Sequence, residues 1–195
     1  KVIAAHGPQG AGALASPTST VEEFYLLQKL VRALGSGNVD HRLRQRDFSD
    51  DADAPLFPYI GLPIRALETV DAALLIGSNI RKDQPLLGLR LRKAFLRGAA
   101  LFAVNPVDYD FSFDLNARVI ADPAAMPAAL ARIARALAEA TGATLPPEVA
   151  AMAGDRPSDA EQAIAAGLKG ASNASLLVGN FALAHPQAAL LRSLA

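Results

Sequence analysis

The run NVDHRLRQRDF, residues 38 to 48, places Arg42, Arg44 and Arg46 at alternate positions. In an extended strand successive side chains point to opposite faces, so the three guanidiniums would share one face. Such a face can bind phosphates. It can equally pair with Asp47, Asp50, Asp51 and Asp53, or with a partner chain, and a basic run is more often solvated or ion-paired than a site. A second candidate is Gly77-Ser78-Asn79, which follows an apolar run and precedes an amphipathic one. In open α/β sheets ligands bind beyond the carboxyl ends of the strands. Glycine lets another group approach the backbone and asparagine can pair with a polar ring edge, which suits a nucleotide or pterin loop. Without a GxGxxG spacing, an ordinary strand-to-helix turn is the favoured reading.

Other chemistries find little support. The chain of 195 residues has no cysteine, which removes disulfides, thiolate metal sites and a cysteine nucleophile within it. His6, His41 and His185 are scattered without metal-ligand spacing and read as structural. The acidic run DFSDDAD, residues 47 to 53, lacks the glycine and distal glutamate of an EF-hand and reads as a solvated loop. Neither a GxSxG elbow nor a P-loop occurs. Lys+Arg and Asp+Glu balance at 19 each, so no global field draws the chain to nucleic acid or an anionic membrane. With 51% hydrophobic residues and a mean hydropathy of +0.22 there is ample material for a core, yet no apolar run reaches the ~20 residues that span a bilayer.

The elements that would position these residues alternate in type. Residues 2 to 5 read as a buried strand, followed by a Gly/Pro-rich loop. Thr20 and Glu23 form a capping box that opens a helix with Leu27, Leu30, Val31 and Leu34 on one face, ended by Gly35 or Gly37. A short helix is expected over residues 64 to 69. Residues 71 to 77, DAALLIG, are near-continuously apolar, as in a parallel strand covered on both faces. Residues 86 to 97 are amphipathic, with either Leu87 and Leu91 or Leu86 and Leu89 inward. A strand over 99 to 104 ends at Asn105-Pro106, and another covers 118 to 121. Asp122 caps a helix with Met126, Leu130, Ile133 and Leu137 inward. A proline-rich connector spans 144 to 155, and a Ser158/Glu161 capping box opens a helix to about Lys169. A strand over 174 to 178 and a helix begun by Pro186 complete the series. This order predicts an α/β fold with a mostly parallel sheet. The opening within a strand-like run and the close within a helical pattern read as a fragment of a longer protein.

Three phrases together carry a family resemblance. LASPTSTVEEFYLLQKLVRALGSGNVDHRLRQRDF, IRALETVDAALLIGSNIRKDQPLLGLRLRKAFLRGAALFAVNP and SLLVGNFALAHPQAALLRSLA resemble the molybdopterin oxidoreductase superfamily. Within it they are most similar to the branch formed by the large iron–sulfur subunit of bacterial NADH-quinone oxidoreductase, respiratory complex I. The resemblance covers nearly the whole chain, although the alanine-rich stretch 123 to 170 adds little. It implies a formate dehydrogenase/DMSO reductase-like fold of two Rossmann-like units, mostly parallel sheets covered by helices. One unit, left incomplete, would hold residues 1 to 48 plus 171 to 195; residues 49 to 170 would form the second unit, inserted into the first.

The resemblance also implies what has been lost. Its members carry a cysteine or selenocysteine that ligates molybdenum, and counting forward from Asn38 that position falls at Arg46. A permanently charged guanidinium has no lone pair for a metal. The histidine that follows in formate dehydrogenases falls at Asp47. Active relatives read Asp-Pro-Arg after the strand corresponding to 99 to 104, and this chain reads Asn105-Pro106-Val107. Gly77, Ser78 and Asn79 then stand as a vestigial pterin loop, with no catalytic and no metal-binding residue assigned. The implied role is scaffolding within the large iron–sulfur subunit, at the cytoplasmic face of the bacterial inner membrane, beside the other peripheral-arm subunits. The iron–sulfur clusters would lie upstream, with no cofactor in these residues, no nucleic acid and no direct membrane insertion. The parent complex would carry electrons from NADH to quinone while this piece alone has no activity. An active formate dehydrogenase-like domain and a free-standing nucleotide-binding α/β module are the alternatives.

Overall fold

The structure is a computed structural model that describes residues 2–41, 47–52 and 60–195. The chain divides into two compact units, Lys1–Gln45 and Arg46–Ala195.

The first unit holds α1 (Val2–His6), β1 (Ala13–Leu14), α2 (Val21–Ala33) and β2 (Val39–Asp40). The strand expected over residues 2 to 5 is therefore a short helix; a run of so few apolar residues fits either state when nothing sets the period. β1 and β2 pair in parallel, and the pairing is extended by Ala15 N donating to Asp40 O at 2.8 Å. Buried Ser36 donates its hydroxyl to Ala11 O at 2.6 Å and holds the two strands' approach together. The expected capping box opens α2: Thr20 N donates to Glu23 Oε2 at 2.8 Å and Glu23 N to Thr20 Oγ1 at 3.3 Å. Of its apolar residues Val31 is buried, while Tyr25, Leu26, Leu30 and Leu34 remain exposed. Leu14, Leu26, Leu27 and Leu30 line an open groove of about 470 Å³ between β1 and α2.

The second unit is a four-stranded parallel sheet. Its elements are a 3-10 helix (Ile64–Thr69), β3 (Ala72–Ile76), α3 (Ile80–Asp83), α4 (Pro85–Phe95), β4 (Ala100–Asn105), β5 (Ala117–Ile120), α5 (Met126–Thr141), α6 (Pro147–Ala153), α7 (Asp159–Gly170), β6 (Ala174–Val178), α8 (Asn180–Leu183) and α9 (Ala188–Leu194). The strand order is β5-β4-β3-β6, all neighbours parallel. β3 is buried along its whole length because helices cover both faces, which is why its five residues are all apolar. Leu74, Ile76, Phe102 and Val104 face Met126, Leu130 and Ile133 of α5, Ile164 of α7 and Leu191 of α9. Ala73, Leu75, Leu101 and Ala103 face Leu67 and Leu91 on the other side. On α4 it is therefore Leu87 and Leu91 that turn inward, leaving Leu86 and Leu89 exposed.

Two expectations change here. Residues 171 to 195 do not stand apart from 49 to 170, because β6 pairs with β3 residue by residue from Ala72↔Ala174 to Ile76↔Val178. The division falls instead after Gln45. The proline-rich connector also contains a helix, α6, with two prolines at its start: Pro146 as N-cap and Pro147 at the first position, where no N–H is required.

Candidate functional site

The sheet order locates the place where a ligand would be sought. From β3 the chain moves to β4 and then β5; from β5 it returns past β3 to add β6 on the opposite side. The switch point lies between β3 and β6, at their carboxyl ends, where the covering helices leave for opposite faces. The two loops that border it are Gly77-Ser78-Asn79 and Gly179-Asn180. The sequence-derived loop is thus placed where a doubly wound fold would use it.

The backbone polar atoms of Gly77 and Ser78 are engaged by the protein. Gly77 N donates to Val104 O at 2.9 Å, and Phe181 N donates to Gly77 O at 3.1 Å. Ser78 N donates to Asn105 Oδ1 at 2.8 Å, and Asn105 Nδ2 returns a bond to Ser78 O at 3.3 Å. Gly179 N donates to Ile76 O at 2.8 Å. Asn79 is half-buried and starts α3 without a side-chain capping bond. Across the crevice, Gln84 Nε2 reaches Asn180 Oδ1 at 3.4 Å.

Space at the crevice is equally limited. Gly77 has φ +56°, and a Cβ there would lie 2.6 Å from Ala182 N. A Cβ on Gly179 would lie 2.4 Å from Ser78 Cβ and 2.5 Å from Gly77 O. Both glycines are required by the close approach of α8 to the loop, the job that a ligand's phosphate or ring gives to such glycines elsewhere. The two loops touch, and the amides of Gly77, Ser78 and Gly179 are already bonded within the protein.

The other sequence candidates distribute differently. Arg42, Arg44 and Arg46 lie outside the described residues, as does Asp53. Asp47 and Asp50, expected in a solvated loop, reach α9. Asp47 Oδ2 accepts from Ala189 N at 2.9 Å, and Asp50 Oδ2 accepts from Arg192 Nε at 2.7 Å. The Ser49 hydroxyl and the Ala189 N–H hold the Asp47 carboxyl below its ordinary value, and the Arg192 guanidinium does the same for Asp50. Sequence reading missed this because the partners lie 142 positions apart. His41 stands edge-on to Phe24 with ring centroids 5.7 Å apart. Buried His185 accepts from Gln187 N through Nδ1 at 3.0 Å, so its Nε2–H donates to Pro123 O at 3.0 Å. Among the described residues, no three His, Asp or Glu side chains gather as a metal site. No helix among them is long and apolar enough to cross a membrane.

Fold and site together define a doubly wound α/β module whose two switch-point loops pack against each other. A family model described as molybdopterin oxidoreductase matches residues 1–190, and the chain belongs to that family. Among curated relatives, a probable oxidoreductase of Bacillus subtilis (YjgC) is 37% identical over 108 residues, 52% of this chain and 11% of its own length. The NADH-ubiquinone oxidoreductase 75 kDa subunit of Reclinomonas americana is 31% identical over 45% of this chain and 14% of its own length. A putative formate dehydrogenase of Staphylococcus aureus is 34% identical over 46% of this chain and 10% of its own length. The matches therefore span only about a tenth to a seventh of these relatives. The solved structure of acetylene hydratase from Pelobacter acetylenicus has the same fold, with a TM-score of 0.63 at 15% identity, covering 97% of this chain and 30% of that one.

Proposed function

We propose that this chain is a structural part of the large iron–sulfur subunit of an NADH-quinone oxidoreductase, in which the molybdopterin site has been lost. The observation that carries this reading is the close packing of Gly179 against Gly77-Ser78, where a Cβ on Gly179 would fall 2.4 Å from Ser78. Arg46 and Asn105-Pro106-Val107 support it, since the resemblance implies a metal ligand and Asp-Pro-Arg at these positions in active members of the family. The likeness to the Reclinomonas 75 kDa subunit supports the complex I branch. In this reading the clusters that pass electrons from NADH toward quinone belong to other parts of the parent subunit. The α/β module gives that subunit shape and contacts neighbouring peripheral-arm subunits at the cytoplasmic face of the membrane. The exposed apolar groove of the first unit, lined by Leu14, Leu26 and Leu30, suits a scaffold whose surface is covered by more polypeptide.

The test is elemental analysis of the intact parent protein purified with its complex. Iron without stoichiometric molybdenum or tungsten is the expected result. Stoichiometric molybdenum would overturn the proposal and favour the second reading, a domain of an active formate dehydrogenase-like enzyme. That reading draws on the 34% identity to the staphylococcal relative. Titration of the 195-residue chain with dinucleotides in a calorimeter addresses the free-standing nucleotide-binding module, for which no heat of binding is expected.

A further inference from the structure

Helix α4 presents an unusual outer face. Leu91 and Ala94 are buried on its inner side, and Leu87 packs beside them. The outer side carries Leu86 at 70%, Leu89 at 45% and Leu96, one position past the helix, at 67% exposure. These positions stand at i, i+3 and i+10, with Lys93 at i+7, so they form one stripe about 15 Å long at 1.5 Å per residue. A helix whose only task was to cover the sheet would place polar residues there.

Cations flank the stripe on both sides and are held in place. Arg90 and Arg97 on one side, together with Lys93 within the stripe, converge on Glu68, whose side chain is only 12% exposed. Lys93 Nζ lies 3.0 Å from Glu68 Oε1, Arg97 Nη2 lies 3.8 Å from Oε2, and Arg97 Nη1 donates to Glu68 O at 3.0 Å. Three cations on one carboxylate leave the patch positively charged. On the other side Arg92 Nε donates to Ser112 O at 3.1 Å.

We infer that the outer face of α4 is a docking surface for an acidic amphipathic helix of a partner protein, with leucines meeting the partner's apolar stripe and the flanking cations meeting its carboxylates. Charge complementarity names the partner's sign, and an apolar stripe rimmed by charge is the anatomy of a protein interface. The fixed positions of the cations favour a protein over a membrane. Guanidiniums anchored by Glu68 and the Ser112 carbonyl match carboxylates at defined spacing, whereas lipid headgroups are laterally mobile and call for free, snorkelling side chains. The inference concerns a surface and holds for either branch of the family.

The test uses the ¹⁵N-labelled 195-residue chain with two synthetic helical peptides. Both carry leucines at i, i+4 and i+7; one is flanked by glutamates, the other by lysines. Vesicles of phosphatidylglycerol form a third arm. The expected result is saturable shift changes confined to residues 86 to 97 with the glutamate peptide, and binding at least about tenfold weaker with the lysine peptide. The double variant Leu86→Ser/Leu96→Ser, at two exposed positions, should lose binding with its unfolding curve unchanged. Lys93→Glu should narrow or reverse the preference between the two peptides. Equal binding of both peptides, shift changes elsewhere, no binding, or binding to vesicles in place of the peptide would overturn the inference.

Discussion

Arg192 on α9 and Asp50 in the turn at residues 49 to 52 form a bidentate ion pair across 142 positions of sequence, with Nε donating to Oδ2 at 2.7 Å and Nη2 donating to Oδ1. Beside it Asp47 accepts the Ala189 N–H in the first turn of the same helix, a donor that the helix's own N-cap, Gln187, does not satisfy. The two carboxylates act as a clasp on α9. Replacing both by asparagine should speed hydrogen exchange of the α9 amides by about tenfold while leaving the β3 amides protected. Both carboxyls are held below their ordinary value of 3.8. A depressed carboxyl stabilises above its unfolded value, and this contribution is lost as pH falls through the lower folded value. Acidification below about pH 4 should therefore mimic the double variant.

A sharper pH dependence belongs to Glu68. Hydrogen bonds from Arg90 and then Lys93 lower its carboxyl from 4.5 to about 2. Its contribution is complete above pH 4.5 and fades as pH falls toward 2. Carboxyl ¹³C titration should place its midpoint near 2, and Lys93→Met should move it upward while Arg90 still holds it below 4.5. A midpoint near 4.5 in the unsubstituted chain would contradict this arrangement.

Glu161 serves two partners at once. It is buried, closes the capping box of α7 by accepting Ser158 N at 2.8 Å, and meets Arg132 Nε at 2.9 Å. Burial alone would raise its carboxyl, but the Arg132 guanidinium and the Ser158 N–H and hydroxyl together hold it below the usual value. Glu161→Ala removes the cap and leaves Arg132 unpaired at 22% exposure. Because that guanidinium keeps some water, the loss should sit near the lower end for broken buried pairs, about 3 kcal/mol. Urea unfolding checks it, and a loss under about 1 kcal/mol would place Glu161 among surface pairs.

Gly167 tests packing against propensity. Glycine to alanine inside a helix ordinarily stabilises by up to about 1 kcal/mol. Here a Cβ would lie 2.1 Å from Cζ of Phe102, whose ring fills the space between α7 and the sheet. Overpacking wins: Gly167→Ala should destabilise by about 1–3 kcal/mol. A rise in thermal midpoint would show that the ring moves aside freely.

Much of this architecture was legible where local signals were strong. Both capping boxes, Thr20/Glu23 and Ser158/Glu161, form as their spacing predicts, and the apolar runs became β3, β4 and β6. What failed lacked a local signal. Residues 2 to 6 are too few to reveal a period, and the side of the division on which β6 belongs depends on its pairing with β3, about a hundred residues away. The acidic residues 47 and 50 looked solvated because their partners on α9 are remote. At the candidate site the loop Gly77-Ser78-Asn79 was visible from its place after an apolar strand. Its tight packing was not, because it depends on Gly179 and Ala182 arriving after the later strand β6.

Asn105 offers a direct test of the proposal that the molybdopterin site has been lost. It occupies the position where active relatives, by resemblance, carry aspartate. It is buried, and its amide uses both ends on Ser78: Oδ1 accepts from Ser78 N and Nδ2 donates to Ser78 O. Asn105→Asp keeps the acceptor but replaces the donor by a second oxygen facing Ser78 O. The protonated acid can still donate there, whereas the carboxylate cannot and is also desolvated, so the folded-state carboxyl value is pushed up. A carboxyl raised on folding destabilises progressively as pH climbs above its unfolded value near 3.9, up to the folded value. Asn105→Asp should therefore cost about 1–3 kcal/mol near pH 5 and more at pH 8, measured by urea unfolding. Under that proposal, adding Val107→Arg should not confer dinucleotide or pterin binding, because Gly179 and Ala182 still pack against the loop. Equal stability at both pH values, or recovered ligand binding in the double variant, would show that the site is only lightly altered from its active relatives.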